Sequence, residues 1–154
     1  MIVREKIEEL DSFESYFKVI YRDETSLIIA YFNLGISEHS ELNLEERLKY
    51  IDRAYLVCED ITFLSINNCV IKNLKINSPS FYFGGFDLNN NDDEKINDIE
   101  VKANNIYLKL PDNFIISNSL WSPFKVDNNL FKVIPKSKVD NLLEFKNYLD
   151  SKDL

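Results

Sequence analysis

From residue 17 to residue 116 the chain is a succession of short β-branched and aromatic runs with few residues between most of them. The runs cover 17–21, 27–33, 54–58, 61–66, 69–76 and 81–86, then an alternating stretch from Ile99 to Leu110, then 113–116 and 130–134. Such side chains suit the pleated, half-buried surface of a sheet. Parallel neighbours need crossovers of a dozen or more residues, usually helical, and most of these gaps are too short. The spacing therefore predicts a mainly antiparallel β-sheet, either a sandwich or one strongly curved sheet. Residues 22–26, Arg-Asp-Glu-Thr-Ser, read as the turn of a hairpin between the first two runs.

A chain with this many turns carries only three glycines, Gly35, Gly84 and Gly85. Their spacing excludes a phosphate-cradling G-x-x-x-x-G-K-[ST] loop and a G-x-G-x-x-G dinucleotide turn. Asparagine clusters at Asn67-Asn68, Asn89-Asn90-Asn91, Asn104-Asn105 and Asn128-Asn129 are expected to make the turns, because Asn tolerates the left-handed region. At Asn104-Asn105 the apolar parity changes from Ile99, Val101 and Ala103 to Ile106, Leu108 and Leu110. That pair reads as a hairpin turn or as a bulge that resets the buried face.

Helices are expected at the edges. Asn43 with Glu46 resembles a capping box, and Leu44, Leu48 and Ile51 would share one face of a short helix. Ser137 and Asp140 open a second, in which Val139, Leu142, Leu143, Phe145 and Leu149 make an apolar stripe to pack on the sheet. A third spans residues 3–10 through Val3, Ile7 and Leu10. With 45% hydrophobic residues and neither linker nor repeat, residues 1–154 read as one α+β domain: the sheet, a C-terminal amphipathic helix, and one or two short helices.

Charge narrows the partners. Acids number 26 against 18 bases, a net −8, and nucleic-acid backbones are bound by clustered Lys and Arg, so no nucleic-acid ligand is expected. No run of about 18 apolar residues is present and the start is charged, so neither a membrane partner nor export is indicated, and a cytoplasmic location is expected. Cys58 and Cys69 form no C-x-x-C pair, and His39 is the single histidine, so no zinc site or other cofactor is implied. Both thiols sit in apolar runs and read as buried in a reducing compartment. His39, between Glu38 and Glu41, reads as a surface residue, with no nucleophile motif near it.

The acids concentrate at residues 87–100, where Asp87, Asp92, Asp93, Glu94, Asp98 and Glu100 face a lone Lys95. Asp87, Asn89, Asn91 and Asp98 are also the oxygen donors of a calcium-loop opening. Asp92 replaces the turn glycine, Lys95 replaces a ligand and Asp98 replaces the usual Glu, so the segment reads first as a solvated loop, with no metal. In the run before it, Phe81 and Phe83 should face the core while Tyr82, like Trp121, is exposed. Exposed rings beside carboxylates suit a protein interface. The first functional expectation is thus a non-enzymatic protein-binding module for a basic partner such as a toxin, using Asp87, Asp92, Asp93, Glu94, Asp98, Tyr82 and Trp121. Small acidic immunity and antitoxin proteins share this size and charge. The alternatives are a sugar- or calcium-binding domain using residues 81–98, and a carboxylate-based hydrolase.

Overall fold

A computed structural model describes residues 1–44, 48–87, 98–112 and 114–117. In chain order its strands are β1 (Ile2–Val3), β2 (Tyr16–Arg22), β3 (Leu27–Gly35), β4 (Tyr50–Ile66), β5 (Cys69–Asn73), β6 (Phe81–Phe83), β7 (Phe86–Asp87), β8 (Ile99–Lys109) and β9 (Ile116–Ser117). They form one sheet rather than the two of a sandwich. Its spine is the 17-residue β4, which pairs with β3 and β5 along one edge and with β8 and β9 along the other. β2 continues the sheet beyond β3. Pairing is antiparallel throughout the described residues except between β2 and β7, so the sheet is mixed.

The strongly curved alternative holds, because one short segment bridges the sheet's two sides. β6 pairs with β8 and β7 pairs with β2, yet only Gly84 and Gly85 separate β6 from β7. The interior so enclosed is filled by Phe17, Ile29, Tyr31, Leu56, Phe83, Val101 and Leu108 among others. A second apolar cluster, including Ile28, Phe32, Tyr55, Val57 and Tyr107, lies on other side chains of the same strands. All nine residues of β3 are buried, which explains why it reads as a nearly continuous apolar run rather than an alternating one.

The glycines and asparagines divide the backbone work between them. Asn67 and Asn68 adopt φ of 50° and 64° and make the two-residue turn between β4 and β5, as expected from the sequence. Glycine is kept for places where a Cβ has no room. A Cβ on Gly35 would stand 2.7 Å from the Asp11 carbonyl oxygen, and one on Gly85 would stand 2.5 Å from that of Ser15. Gly35 and Asp11 exchange both backbone hydrogen bonds at 2.9 Å, the Phe86 N–H donates to the Ser15 carbonyl at 2.8 Å, and the Gly84 N–H donates to the Ser12 hydroxyl at 2.9 Å. All three glycines therefore hold one stretch, residues 11–15, against the sheet.

Asn104-Asn105 is not a turn. β8 runs through it, and the inner core takes Val101 and Ala103 before it and Ile106 and Leu108 after it. β4 makes the same three-residue step, from Cys58 to Ile61, so register is kept on both sides of the Asp60/Asn104 position. Asp60, with φ of 54°, supplies the backbone rotation. The expected break between 54–58 and 61–66 is this kink within one strand. Asn33, also at φ of 54°, makes the equivalent step in β3, from Tyr31 to Leu34. The ladder's bulge lies elsewhere, between Ile61 and Phe63.

Two expected helices are corrected. Residues 3–10 hold β1 and a 3-10 turn at Ile7–Glu9, because Lys6 at φ of 58° breaks the helical path while Val3 pairs with Leu108. Val3, Ile7 and Leu10 are buried all the same, so their spacing reported burial rather than a helix. Asn43 closes the preceding turn, its backbone N–H donating to the His39 carbonyl and its side chain to that of Ser37. Leu44 and Leu48 are exposed, and Ile51 belongs to β4 opposite Leu34. Residues 45–47 and the helix expected over 137–149 lie outside the described residues, as does the run at 130–134.

The turn between β2 and β3 is held by Asp23, whose carboxylate accepts the Tyr21 hydroxyl at 2.6 Å and the Thr25 backbone N–H at 2.9 Å. Burial opposes its charge, but these bonds and that of the Ser26 N–H outweigh burial and hold the carboxyl below its ordinary value. A depressed folded value contributes stability above the ordinary carboxylate range that is lost as pH falls through that folded value. In chemical denaturation at several pH values, Asp23→Asn should be less stable than wild type at neutral pH, with the gap narrowing in acid. Gly85→Ala, at φ of 127° and against three close atoms, should lower the unfolding free energy by about 2–4 kcal/mol in the same measurement.

Candidate acidic and aromatic cleft

The described structure places a cleft of about 210 Å³ where β4, β6 and β8 meet the 11–15 stretch. Phe13, Tyr82, Asp98 and Glu100 supply its rings and carboxylates, and Ser65 and Asn68 supply neutral polar groups. Sheet register assembles most of it. Tyr82 stands opposite Glu100, Glu100 opposite Ser65, and Ser65 opposite Val70, so these four form one row across four strands. Directly opposed residues share a face, with Cβ atoms about 5 Å apart. The neighbouring row, Phe83, Ile99 and Ile66, belongs to the inner core.

Each of these cleft residues has a support. Tyr82 is 62% exposed, while Phe83 is buried and Phe81 packs on the core, the alternation expected of this strand. The Ser80 hydroxyl donates to Glu100 Oε2 at 3.2 Å. Asp98 is fixed through its backbone, its N–H donating to Asn67 Oδ1 at 2.8 Å and its carbonyl accepting the Asn67 N–H at 2.7 Å. Its carboxylate therefore lies beside the β4–β5 turn. Phe13 comes from the stretch clasped by the glycines, with its backbone N–H on Asp11 Oδ1 at 3.3 Å. Carboxylates and aromatic rings lining one cleft can together hold a cation, by Coulomb attraction and through the ring faces.

Of the residues expected to bind a partner, Tyr82 and Asp98 come together here. Asp87 stands apart on β7, opposite Phe17 of β2. Asp92, Asp93, Glu94 and Trp121 lie outside the described residues, as do Asn89 and Asn91 of the calcium pattern. Among the described residues no three His, Cys, Asp or Glu side chains converge as a metal group would require. Phe13 was missed as a site residue because nothing local marks it; nearly seventy residues separate it from Tyr82.

His39 is buried, against the expectation of a surface position. Its Nδ1 accepts the backbone N–H groups of Glu41 at 3.3 Å and Leu42 at 3.1 Å, which leaves Nε2 to donate to the Glu5 carbonyl at 3.2 Å. Both ring nitrogens are engaged in holding the 36–44 turn to the N-terminal segment. Glu9 reinforces that contact: the Ser40 backbone N–H, at 2.9 Å, holds its carboxyl below the ordinary value.

The cysteines separate. Cys58 is buried in the inner core, but Cys69 is exposed at the start of β5, a correction that follows from its place beside the β4–β5 turn. Burial, aided by the Glu59 charge, pushes the Cys58 thiol up to about 12. Comparison with protein-family models, curated proteins and solved structures found no match. No helix among the described residues is long and apolar enough to cross a membrane.

Alkylation of the native protein with iodoacetamide near pH 8 should modify Cys69 and spare Cys58, with Cys58 reacting only after denaturation. Peptide mapping by mass spectrometry reads both sites, and rapid native labelling of Cys58 would contradict the packing of β4.

Proposed function

We propose that this chain is a non-enzymatic protein-binding module whose cleft takes a basic side chain of its partner. The observation that carries the reading is the convergence of Phe13, Tyr82, Asp98 and Glu100 at one open site. A Lys or Arg entering between the rings would meet both carboxylates, and the acids of residues 87–100 would steer a basic surface toward it. The mode of action is occlusion: the partner's basic site is covered and neutralised. This is the behaviour of small acidic immunity and antitoxin proteins, with which the chain shares size and charge.

The hydrolase reading has less support, because the single histidine is engaged in a turn and Glu100 is held by Ser80. The sugar and calcium readings rest on residues 81–98, of which 88–97 lie outside the described residues, and Asp87 is not among the residues lining the cleft.

Affinity capture from the native host, at low and moderate salt, tests the proposal with wild type beside Tyr82→Ala and an Asp98→Asn/Glu100→Gln double variant. Wild type should retain a basic protein, and the double variant should reduce its recovery by about tenfold or more, the loss expected when central charged contacts are removed. Recovery of no protein at either salt, or equal recovery by all variants, would overturn it.

A further inference from the structure

The cleft combines negative charge with flat apolar surface. Asp98 and Glu100 line it, and none of its lining residues is basic. Ile99, between the two acids, packs in the inner core. Residues two apart on a strand share a face, so the acids leave the backbone on one side, about 6.6 Å apart along it. Tyr82 stands directly opposite Glu100 and is largely exposed, and Phe13 of the 11–15 stretch is exposed as well. The core residues Phe83 and Ile99 also line the cleft, so apolar surface adjoins its carboxylates.

Charge alone does not choose between the two basic side chains. An ion pair at an open site is weak because water screens it, so the groups around the carboxylates decide. Lysine brings a compact, strongly hydrated ammonium whose three donors diverge from one nitrogen. Arginine brings a planar, weakly hydrated fork of five donors that also stacks on aromatic faces. The acceptors of the cleft are spread rather than gathered: Glu100 on β8 and Asp98 just before it, Ser65 on β4, and Asn68 in the β4–β5 turn. Glu100 Oε2 already accepts the Ser80 hydroxyl at 3.2 Å, which holds this carboxylate in place. A guanidinium laid on the Tyr82 ring can direct its edge donors to the carboxylates while its aliphatic stem covers apolar surface. An ammonium has no flat face to lay on the ring.

We infer that the cleft selects arginine over lysine, with Tyr82 as the stacking surface and Asp98 and Glu100 as the acceptors of the guanidinium edge. This rests on the proposed binding mode and narrows it: the partner presents an arginine, one of the residue types enriched among interface anchors, at the centre of its basic surface.

Titration of the isotope-labelled full chain with N-acetyl-arginine methylamide and, separately, N-acetyl-lysine methylamide, followed by NMR, reads this directly. The backbone amide signals of Phe13, Tyr82, Asp98 and Glu100 should move, and the arginine compound should bind about fivefold or more tightly than the lysine compound. The citrulline analogue, planar but uncharged, should leave the same signals in place. Tyr82→Leu should bring the arginine-to-lysine ratio close to one by weakening the arginine compound more. Tyr82 is exposed, and circular dichroism verifies that the variant keeps its fold. Equal affinity for the two compounds, preference for lysine, movement by the citrulline analogue as large as by arginine, or a preference that Tyr82→Leu leaves intact would overturn the inference. Equal affinity or a lysine preference would leave the binding of a basic side chain standing. No movement with either charged compound at tens of millimolar would overturn that reading of the cleft as well.

Discussion

The fold depends on backbone packed against backbone at residues 11–15. This stretch touches Gly35 on one side and Gly85 on the other, at distances that no β-carbon would permit, and its Ser12 hydroxyl accepts the Gly84 N–H. Through it the end of β3 and the β6–β7 junction are fixed relative to β2, and the curved sheet can bridge its own edges. Close approach of this kind removes water from N–H and C=O groups, so each must find a partner. Here the exchange between Gly35 and Asp11, the Phe86–Ser15 bond and the Ser12 hydroxyl on Gly84 meet that requirement, while the Tyr31 hydroxyl donates to the Gly84 carbonyl.

This constraint explains an oddity of composition. Glycine ordinarily serves two purposes, the left-handed backbone and the absence of a side chain. Asparagine can replace it for the first and not for the second. In this chain Asn33, Asn67 and Asn68 take left-handed positions, whereas Gly35 and Gly85 occupy sites where a Cβ would collide. The asparagine clusters were therefore legible as turn signals at Asn67-Asn68. They misled at Asn104-Asn105, where the neighbouring strand makes the same change of face through Asp60. A single-strand pattern reports that a face changes, and only the partner strand decides whether the chain turns back or runs on.

Strand positions and antiparallel pairing were legible because they follow from side-chain type and short gaps. The helix expected over residues 3–10 was not, since an apolar residue every three or four positions fits any segment that buries those residues, including a strand followed by a 3-10 turn. His39 was misread for a related reason. A lone histidine beside an expected helix cap reads as exposed, but the ring itself serves as the acceptor that organises a tight turn, and no spacing rule announces that use. In the candidate site, Tyr82 was legible from strand alternation and Asp98 from the acid-rich segment. Phe13 and the Tyr82–Glu100–Ser65 alignment were not, because they arise from register between distant segments and from the contact of the 11–15 stretch with β6.

The site therefore inherits its precision from the elements that close the sheet. Tyr82 precedes the Gly84-Gly85 junction by two residues, and Phe13 lies within the stretch that the junction grips. Phe13 and Tyr82 at the cleft are thus tied to the same backbone contact, while Glu100 is tied to β4 and β6 by the ladder. A segment carrying many acids could attract a basic surface from a distance, but diffuse charge does not select one side chain. Selection needs rings and carboxylates at fixed separations on ordered elements. Opening the glycine contact would move Phe13 relative to Tyr82 without removing any charge, so under the proposed binding mode net charge would govern encounter with a basic partner while the packing of residues 11–15 would govern which side chain the cleft takes.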